Sequence, residues 1–333
     1  MDKTARMAQN YLSGGTYGRR KKKQSLGQQL KKEGKLYLFF VPSALLLILF
    51  SYIPMTGLIM AFKENPNILG APSVIQGILD AKWVGLDNFK KIFTNVEILK
   101  ALRNTLIISL EKTVFIFPIP IAIALLMNEL QGKIVKKTLR FTMYLPYFLS
   151  WVTVAGICAT LLNKDTGMIN NILEYFGHER VAFTTSNTTI RPVLVITQGW
   201  KWIGYSTVIY LSAITALDTD LLEAAKIDGA TKLQRIWHVT LPGILPIIAI
   251  NFVLRMGSVL DAGFEQIFIM YSPYIKENAD ILGTYTYRLI REASLLPQYA
   301  LSTAVGLFNG VVSMVLVLLT NWFAKKYLKT GLW

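Results

Sequence analysis

Apolar residues run along the chain in long blocks, not at the alternating or 3.6-residue spacings of a half-buried soluble fold. A run of about 18 or more with few charges is the signature of a helix that crosses a bilayer. Six blocks qualify: Leu36–Phe62, Leu102–Asn128, Phe141–Leu162, Pro192–Leu217, Pro242–Tyr271 and Pro297–Ala324. They predict an all-α integral membrane protein with six transmembrane helices. The first block is too long for a signal-peptide core and no small-residue cleavage site follows it, so it reads as a retained signal-anchor. Pro42 and Pro54 interrupt the first block, and Pro118 and Pro120 the second. Membrane helices tolerate such breaks where neighbouring groups re-satisfy the backbone. Lys82–Phe93 and Met168–Phe176 carry the pattern of short helices lying on the outer surface. The chain thus divides into a basic tail (1–35), a six-span domain (36–324) with a conspicuous loop at 217–241, and a short tail (325–333).

Composition agrees with this pattern. Of 333 residues, 53% are apolar and 17% charged, which argues against a disordered chain and an ordinary soluble enzyme. The net charge of +15 would suit nucleic acid, but ten Lys and Arg crowd into residues 1–35, directly before the first span. That placement is a topology signal, and it also suits contact with anionic lipid headgroups. No nucleic-acid partner is expected. Segments 1–35, 130–140, 217–241 and 325–333 hold roughly twice the Lys and Arg of the opposite set, which puts both termini in the cytoplasm by the positive-inside rule.

Chemistry-bearing motifs are missing. The sequence has no G-x-x-x-x-G-K-[ST] phosphate loop, no H-E-x-x-H, no C-x-x-C and no G-x-S-x-G. The two histidines, His178 and His238, fall on opposite membrane faces in this topology, and the one cysteine, Cys158, sits in an apolar run. No enzyme, metal site or bound cofactor is expected.

The loop between the fourth and fifth spans is the most informative stretch. It predicts two short helices with a sharp break between them. Asp220 is placed to cap the first, with Glu223 at the capping-box spacing. Gly229 supplies the conformation a helix end needs. Thr231 is placed to cap the second, again with Gln234 three residues on, and Leu233, Ile236 and Trp237 form an apolar stripe. Pro242 suits the first turn of the next span.

Glu223-Ala224-Ala225, three residues, Gly229, nine residues, then Val239-x-Leu241-Pro242 resembles the signature loop of ABC importer permeases, EAA-x3-G-x9-I-x-L-P, with Val239 in place of isoleucine. Further pieces are similar to the subgroup that imports oligosaccharides, of which the maltose and alginate importers are examples. They are Tyr52-Ile-Pro-Met-Thr-Gly57, Ala61-Phe-Lys63, Val84-Gly-Leu-Asp-Asn-Phe89, Phe117-Pro-Ile-Pro120, Tyr144-Leu-Pro146 with Ser150-Trp151, and Asn321-Trp-Phe-Ala-Lys-Lys326. The resemblance implies a type I ABC importer permease fold in the bacterial cytoplasmic membrane. It implies pairing with a second, homologous permease, and with two ATPase subunits that carry ATP and Mg. It further implies an extracytoplasmic solute-binding lipoprotein and an oligosaccharide cargo. On that pattern Glu223, Ala224, Ala225, Asp228, Gly229, Leu241 and Pro242 form the element that couples to the ATPase. Glu223 either pairs with a basic group there or caps its own helix.

Polar groups within spans usually face the bundle interior and mark a pathway. The candidates are Tyr147 and Trp151 in the third span and Gln198, Trp202 and Tyr205 in the fourth. Asn251, Arg255, Asp261 and Glu265 lie in the fifth and Asn309 in the sixth. Asp261 and Glu265 would share one face of a continuous helix. Trp and Tyr offer the flat, amphipathic surfaces on which sugar rings rest. Competing readings are membrane-interface anchoring for Trp200, Lys201 and Trp202, and a structural ion pair of Arg255 with Asp261 or Glu265. Arg103, Lys201 and Arg255 would suit an anionic cargo if they line the path. Gly257 and Gly263 read as packing positions rather than bends. Amino-acid, peptide or phosphate-ester cargo on the same scaffold is the first alternative function. An ion-coupled secondary transporter is the second, although no internal repeat supports it.

Overall fold

The computed structural model describes residues 38–68, 70–292 and 297–332. The N-terminal tail, with its basic cluster and predicted lipid contact, lies outside the described residues. The chain divides at Gly57–Leu58 into two compact units. The first helix, α1 (Leu38–Phe62), is long and apolar enough to cross a bilayer and passes from the first unit into the second.

Within the second unit the chain runs back and forth between two ends. After short surface helices α2 (Val74–Asp80) and α3 (Asp87–Thr94) come α4 (Val96–Ile116) and α5 (Pro118–Glu129), continuous enough to form one 34-residue helix. The return leg is α6 (Lys133–Tyr144) and α7 (Trp151–Leu161), with a tight turn at Leu145–Phe148 between them. Surface helix α8 (Met168–Tyr175) leads to α9 (Ile190–Thr215). The loop helix α10 (Thr219–Ile227) is followed by α11 (Lys232–Gly257) and α12 (Phe264–Met270). Two short surface helices, α13 (Lys276–Ala279) and α14 (Leu282–Arg291), precede the final 30-residue α15 (Tyr299–Leu328).

Buried clusters identify the two ends. At one, Ala124, Tyr210, Leu211, Ile214 and Ile244 pack together, and Arg235 reaches Glu129 at 3.8 Å. At the other, Ile108, Ile190, Leu194, Ile267, Ile275 and Ile281 form one core, with Ile98, Ala101, Leu282 and Leu301 beside it. Hydrogen bonds tie the surface segments of this second end: Asn104 donates to the carbonyls of Glu277 and Asp280, and Arg191 to those of Asn278 and to Asn104 Oδ1. Arg288 pairs with Asp280, a bond that holds its guanidinium still more firmly protonated. Segments 63–101, 164–191 and 272–296 therefore meet at one end, and the loops around 130 and 217–241 at the other.

Among the described residues, four helices are long and apolar enough to span, or five if the bent α6–α7 pair is one crossing. The fourth predicted span, α9, falls outside that number, yet its 26 residues run from one end core to the other. Its Thr197, Lys201 and Thr207 are buried against protein, so the central leg of the bundle is free to be polar. The result is compatible with six crossings. Two expected spans are not straight helices. The third bends by 100° at the break after Phe148, where Ser150 caps α7 by accepting from Thr153 N at 3.1 Å. The fifth ends at Gly257, and Ala262 (φ 49°) and Gly263 (φ 80°) turn the chain before α12. Gly263 is therefore a bend and not a packing position. Asp261 and Glu265 do not share a helical face, because the break lies between them.

The close crossing of α6 over α9 depends on Gly204, where a Cβ would collide with the Met143 carbonyl. Gly204→Val should lower the thermal midpoint of the purified complex, overpacking of this kind costing about 1–3 kcal/mol. Gly199→Ala, whose Cβ would meet its nearest neighbour at 3.4 Å, should leave the midpoint unchanged.

Candidate functional site

The 217–241 loop projects as a helix, a turn and a second helix. Asp218, not Asp220, caps α10, its carboxylate accepting from Asp220 N at 2.9 Å. The helix thus starts two residues earlier than its sequence suggested, and Glu223 sits beyond capping reach in its second turn. Glu223 and Ala224 are exposed, and the self-capping alternative for Glu223 falls. Gly229 has φ 77°, the left-handed conformation that a side chain resists. Asp228 and Gly229 close α10, whose carbonyls accept from their backbone N–H groups. Thr231 and Gln234 form the expected capping box. Beyond it the helix does not restart at Pro242 but runs on, through a wide turn at Ile236–Thr240, to Gly257. That wide turn accommodates the donor missing at Pro242, and Leu241 beside it is half-buried. Leu221, Ile227, Leu233 and Trp237 are 60% or more exposed. An apolar surface of this kind on a polar loop marks a protein-binding face.

The second feature is a cavity of about 440 Å³ between α4, α5, α7, α9, α11 and the α11–α12 break. Seven pathway candidates line it: Trp151, Gln198, Trp202, Asn251, Arg255, Asp261 and Glu265. Lys112, Ser206, Tyr210 and Ser258 join them. Lys112 was legible as a charge in a span, but its angular position on α4 needed the fold. Tyr147 and Tyr205 stand behind the wall. They stack on each other at 4.5 Å between ring centroids, and both meet Trp202 edge-on. Asn309 does not reach the cavity; its Oδ1 is buried with no partner among the described residues.

The cavity's charges fall into two kinds. Arg255, Asp261 and Glu265 belong to no ion pair among the described residues, so the structural-pair reading of Arg255 fails. Trp202 Nε1 is likewise a buried donor with no acceptor there, and Asn251 turns back on its own helix, donating to Ile247 O at 2.8 Å. In contrast, Lys112 and Lys201 are fully engaged. Lys112 donates to Ala262 O at 2.9 Å and Gln266 Oε1 at 2.5 Å, with Gln198 Oε1 at 3.5 Å. Lys201 donates to the carbonyls of Tyr147, at 2.9 Å, and of Leu149. Lys201 is therefore neither an interface anchor nor a cavity-lining charge. Trp202 lines the cavity as well, whereas Trp200 is exposed on the other side of the helix. Among the described residues no cluster of His, Cys, Asp and Glu could hold a metal ion.

Known proteins share this architecture. Residues 117–329 match the family described as the binding-protein-dependent transport system inner membrane component, and the chain belongs to it. It is 37% identical over 95% of its length to the polygalacturonan/rhamnogalacturonan transport system permease protein YteP of Bacillus subtilis (strain 168), covering 95% of that protein. Protein LplB of the same organism is also 37% identical, with 91% of this chain and 92% of LplB covered. Among solved structures, a chain of a bacterial alginate ABC transporter in complex with alginate pentasaccharide-bound periplasmic protein superposes with a TM-score of 0.83 at 37% identity. The superposition covers 93% of this chain and all of that one. The protein is thus a membrane component of an ABC importer, and its relatives are permeases, not enzymes.

Loss of the α10 cap should loosen the loop while leaving the bundle intact. Asp218→Ala should remove about 1 kcal/mol of local stability. Amide hydrogen exchange across residues 219–228 should then quicken roughly fivefold, with exchange in α9 unaltered.

Proposed function

We propose that the chain is one of two homologous permease subunits of an ATP-driven importer, and that its cargo is an oligosaccharide bearing carboxylates. The observation that carries the cargo reading is Arg255, a guanidinium facing a polar cavity with no carboxylate bound to it. A planar fork of donors left open in a cavity matches a carboxylate in two-point contact. The unpaired Asp261 and Glu265 and the Trp202 indole N–H suit sugar hydroxyls and ring oxygens, and Trp151 and Trp202 supply flat apolar faces. A volume of about 440 Å³ falls in the usual range of small-ligand sites. Relatives named for polygalacturonan and for alginate, the latter described as an acidic polysaccharide, support the same cargo class.

In this reading the loop at 217–241 lies in the cytoplasm with both chain termini. Its exposed Leu221, Ile227 and small Ala224 seat in a cleft of an ATPase subunit, which carries ATP and Mg, and Glu223 pairs with a basic group there. The opposite end receives a solute-binding protein.

ATP hydrolysis by the co-purified complex in lipid nanodiscs tests the proposal. Binding protein loaded with uronate oligosaccharides should stimulate it. Indifference to every loaded binding protein would remove the importer reading. Arg255→Met should lower uptake of the uronate cargo about tenfold relative to a neutral methyl-ester analogue, in keeping with loss of a charge-assisted contact. An unchanged ratio would remove Arg255 from cargo recognition. Gly229→Asp should leave the complex assembled while separating ATP hydrolysis from uptake; normal uptake in that variant would end the coupling role of the loop.

A further inference from the structure

Two helices of this bundle break inside the membrane-spanning region, and each break is met by one lysine from another helix. At the first, the turn after α6 ends at Phe148 and α7 starts at Trp151. The carbonyls of Tyr147 and Leu149 are freed there, and Lys201 of α9 takes both. At the second, α11 ends at Gly257 and α12 starts at Phe264. Ala262 O is taken by Lys112 of α4, and Val259 O by Ser109 one turn earlier on the same helix. Lys112 also binds Gln266 Oε1, and the amide nitrogen of Gln266 donates to Leu194 O at 2.9 Å and to Thr197 Oγ1 at 2.6 Å. The second break is thereby tied to α4 and α9 together.

The chemistry of each cluster calls for a cation. A helix C-terminus carries partial negative charge on its unpaired carbonyls. A carbonyl left unpaired away from water is costly. Three oxygen acceptors surround Lys112 Nζ, which matches the three donors of an ammonium group. In ion-coupled transporters, unwound carbonyls and half-helix C-termini at such breaks hold sodium or a proton. In this chain a tethered side chain occupies that place.

We infer that Lys112 and Lys201 are positioning residues, built-in cations that hold the two broken helices open and so set the cavity wall, and that neither of them reads the cargo. The inference builds on the importer reading. Its geometric consequence is plain at both breaks. Asp261 and Glu265 enter the cavity from either side of the carbonyl that Lys112 holds, and Trp151 enters it two residues after the nearer carbonyl that Lys201 holds.

The test uses the whole complex in proteoliposomes, with permease pair, ATPases and loaded binding protein. Uptake is measured for a uronate oligosaccharide and for its neutral methyl ester. Lys112→Met and Lys201→Met should each lower the maximal rate about tenfold or more for both sugars equally, leaving carbonyls unpaired. The half-saturating concentration of loaded binding protein should stay as in the wild type. Added alkylammonium ions should restore uptake to Lys112→Ala and Lys201→Ala, because a free cation can enter the vacated place. A loss confined to the charged sugar would show that the lysines bind cargo and would overturn the inference, as would full uptake in both methionine variants. Should the lysine variants fail to assemble, Ser109→Ala removes only the Val259 partner. It should slow both sugars equally, by about two- to fivefold, and unaltered uptake would count against the inference. If the wild-type complex takes only neutral sugars, the acidic-cargo reading falls, and the lysine variants are then judged on the neutral sugar alone.

Discussion

A polypeptide crossing hydrocarbon has to satisfy every backbone donor and acceptor without water. That constraint shapes this chain more than any side-chain preference does. Continuous helices meet it at no cost, and α4–α5 and α15 do so over 34 and 30 residues. A cavity with polar walls needs backbone that turns inward, and turning inward frees carbonyls. The freed carbonyls at 147, 149, 259 and 262 are all taken by side chains from α4 and α9. These two helices consequently carry buried Ser109, Lys112, Thr197 and Lys201, residues that would be poor choices on a lipid-facing helix.

The same economy explains why the cavity's remaining charges are informative. A lysine held by two or three backbone and side-chain acceptors is accounted for by structure. An arginine and two carboxylates lining one cavity with no ion pair among the described residues are not. Desolvating charges without pairing them is unfavourable, so their retention around the cavity between α9 and α11 points to a ligand or a water-filled path. Aromatic packing backs the wall: Trp202 meets Tyr147 and Tyr205 edge-on, Tyr205 stands on α9 itself, and Tyr147 lies in the turn after α6, where Lys201 holds its carbonyl.

Much of this was legible in the sequence. Hydropathy located the apolar blocks, and loop spacing located the helix–turn–helix at 217–241, because those features are local in the chain. The Thr231–Gln234 capping box was readable for the same reason. The misplaced α10 cap was a choice between two aspartates two residues apart, which local pattern does not separate. The breaks were harder. Ser150 and Gly263 carried the signal of a cap and a turn, but apolar segments continue beyond each, at Trp151–Leu161 and Phe264–Met270, so each block read as one span. Lys112 was missed and Lys201 misjudged on one ground: a sequence shows that a charge lies in a span but not which carbonyl it meets.

The loop and the cavity are joined by one element. From Lys232 in the loop to Gly257 beside the cavity, α11 is a single helix of 26 residues, about 39 Å long. It is not a plain rod, since the wide turn at Ile236–Thr240 and Pro246 within it are the places where such a helix bends. Gly257 is where the helix stops and the backbone becomes free to turn, with Arg255 just before that point and Asp261 just after it. The wall beyond is fixed to α4 and α9 through Lys112 and Gln266. In the proposed importer, movement of the loop would be carried along α11 to Arg255, on the near side of a break whose far side, with Asp261 and Glu265, is held. On that proposal, the break that opens the cavity is also the joint at which motion from the loop would become a change in its shape.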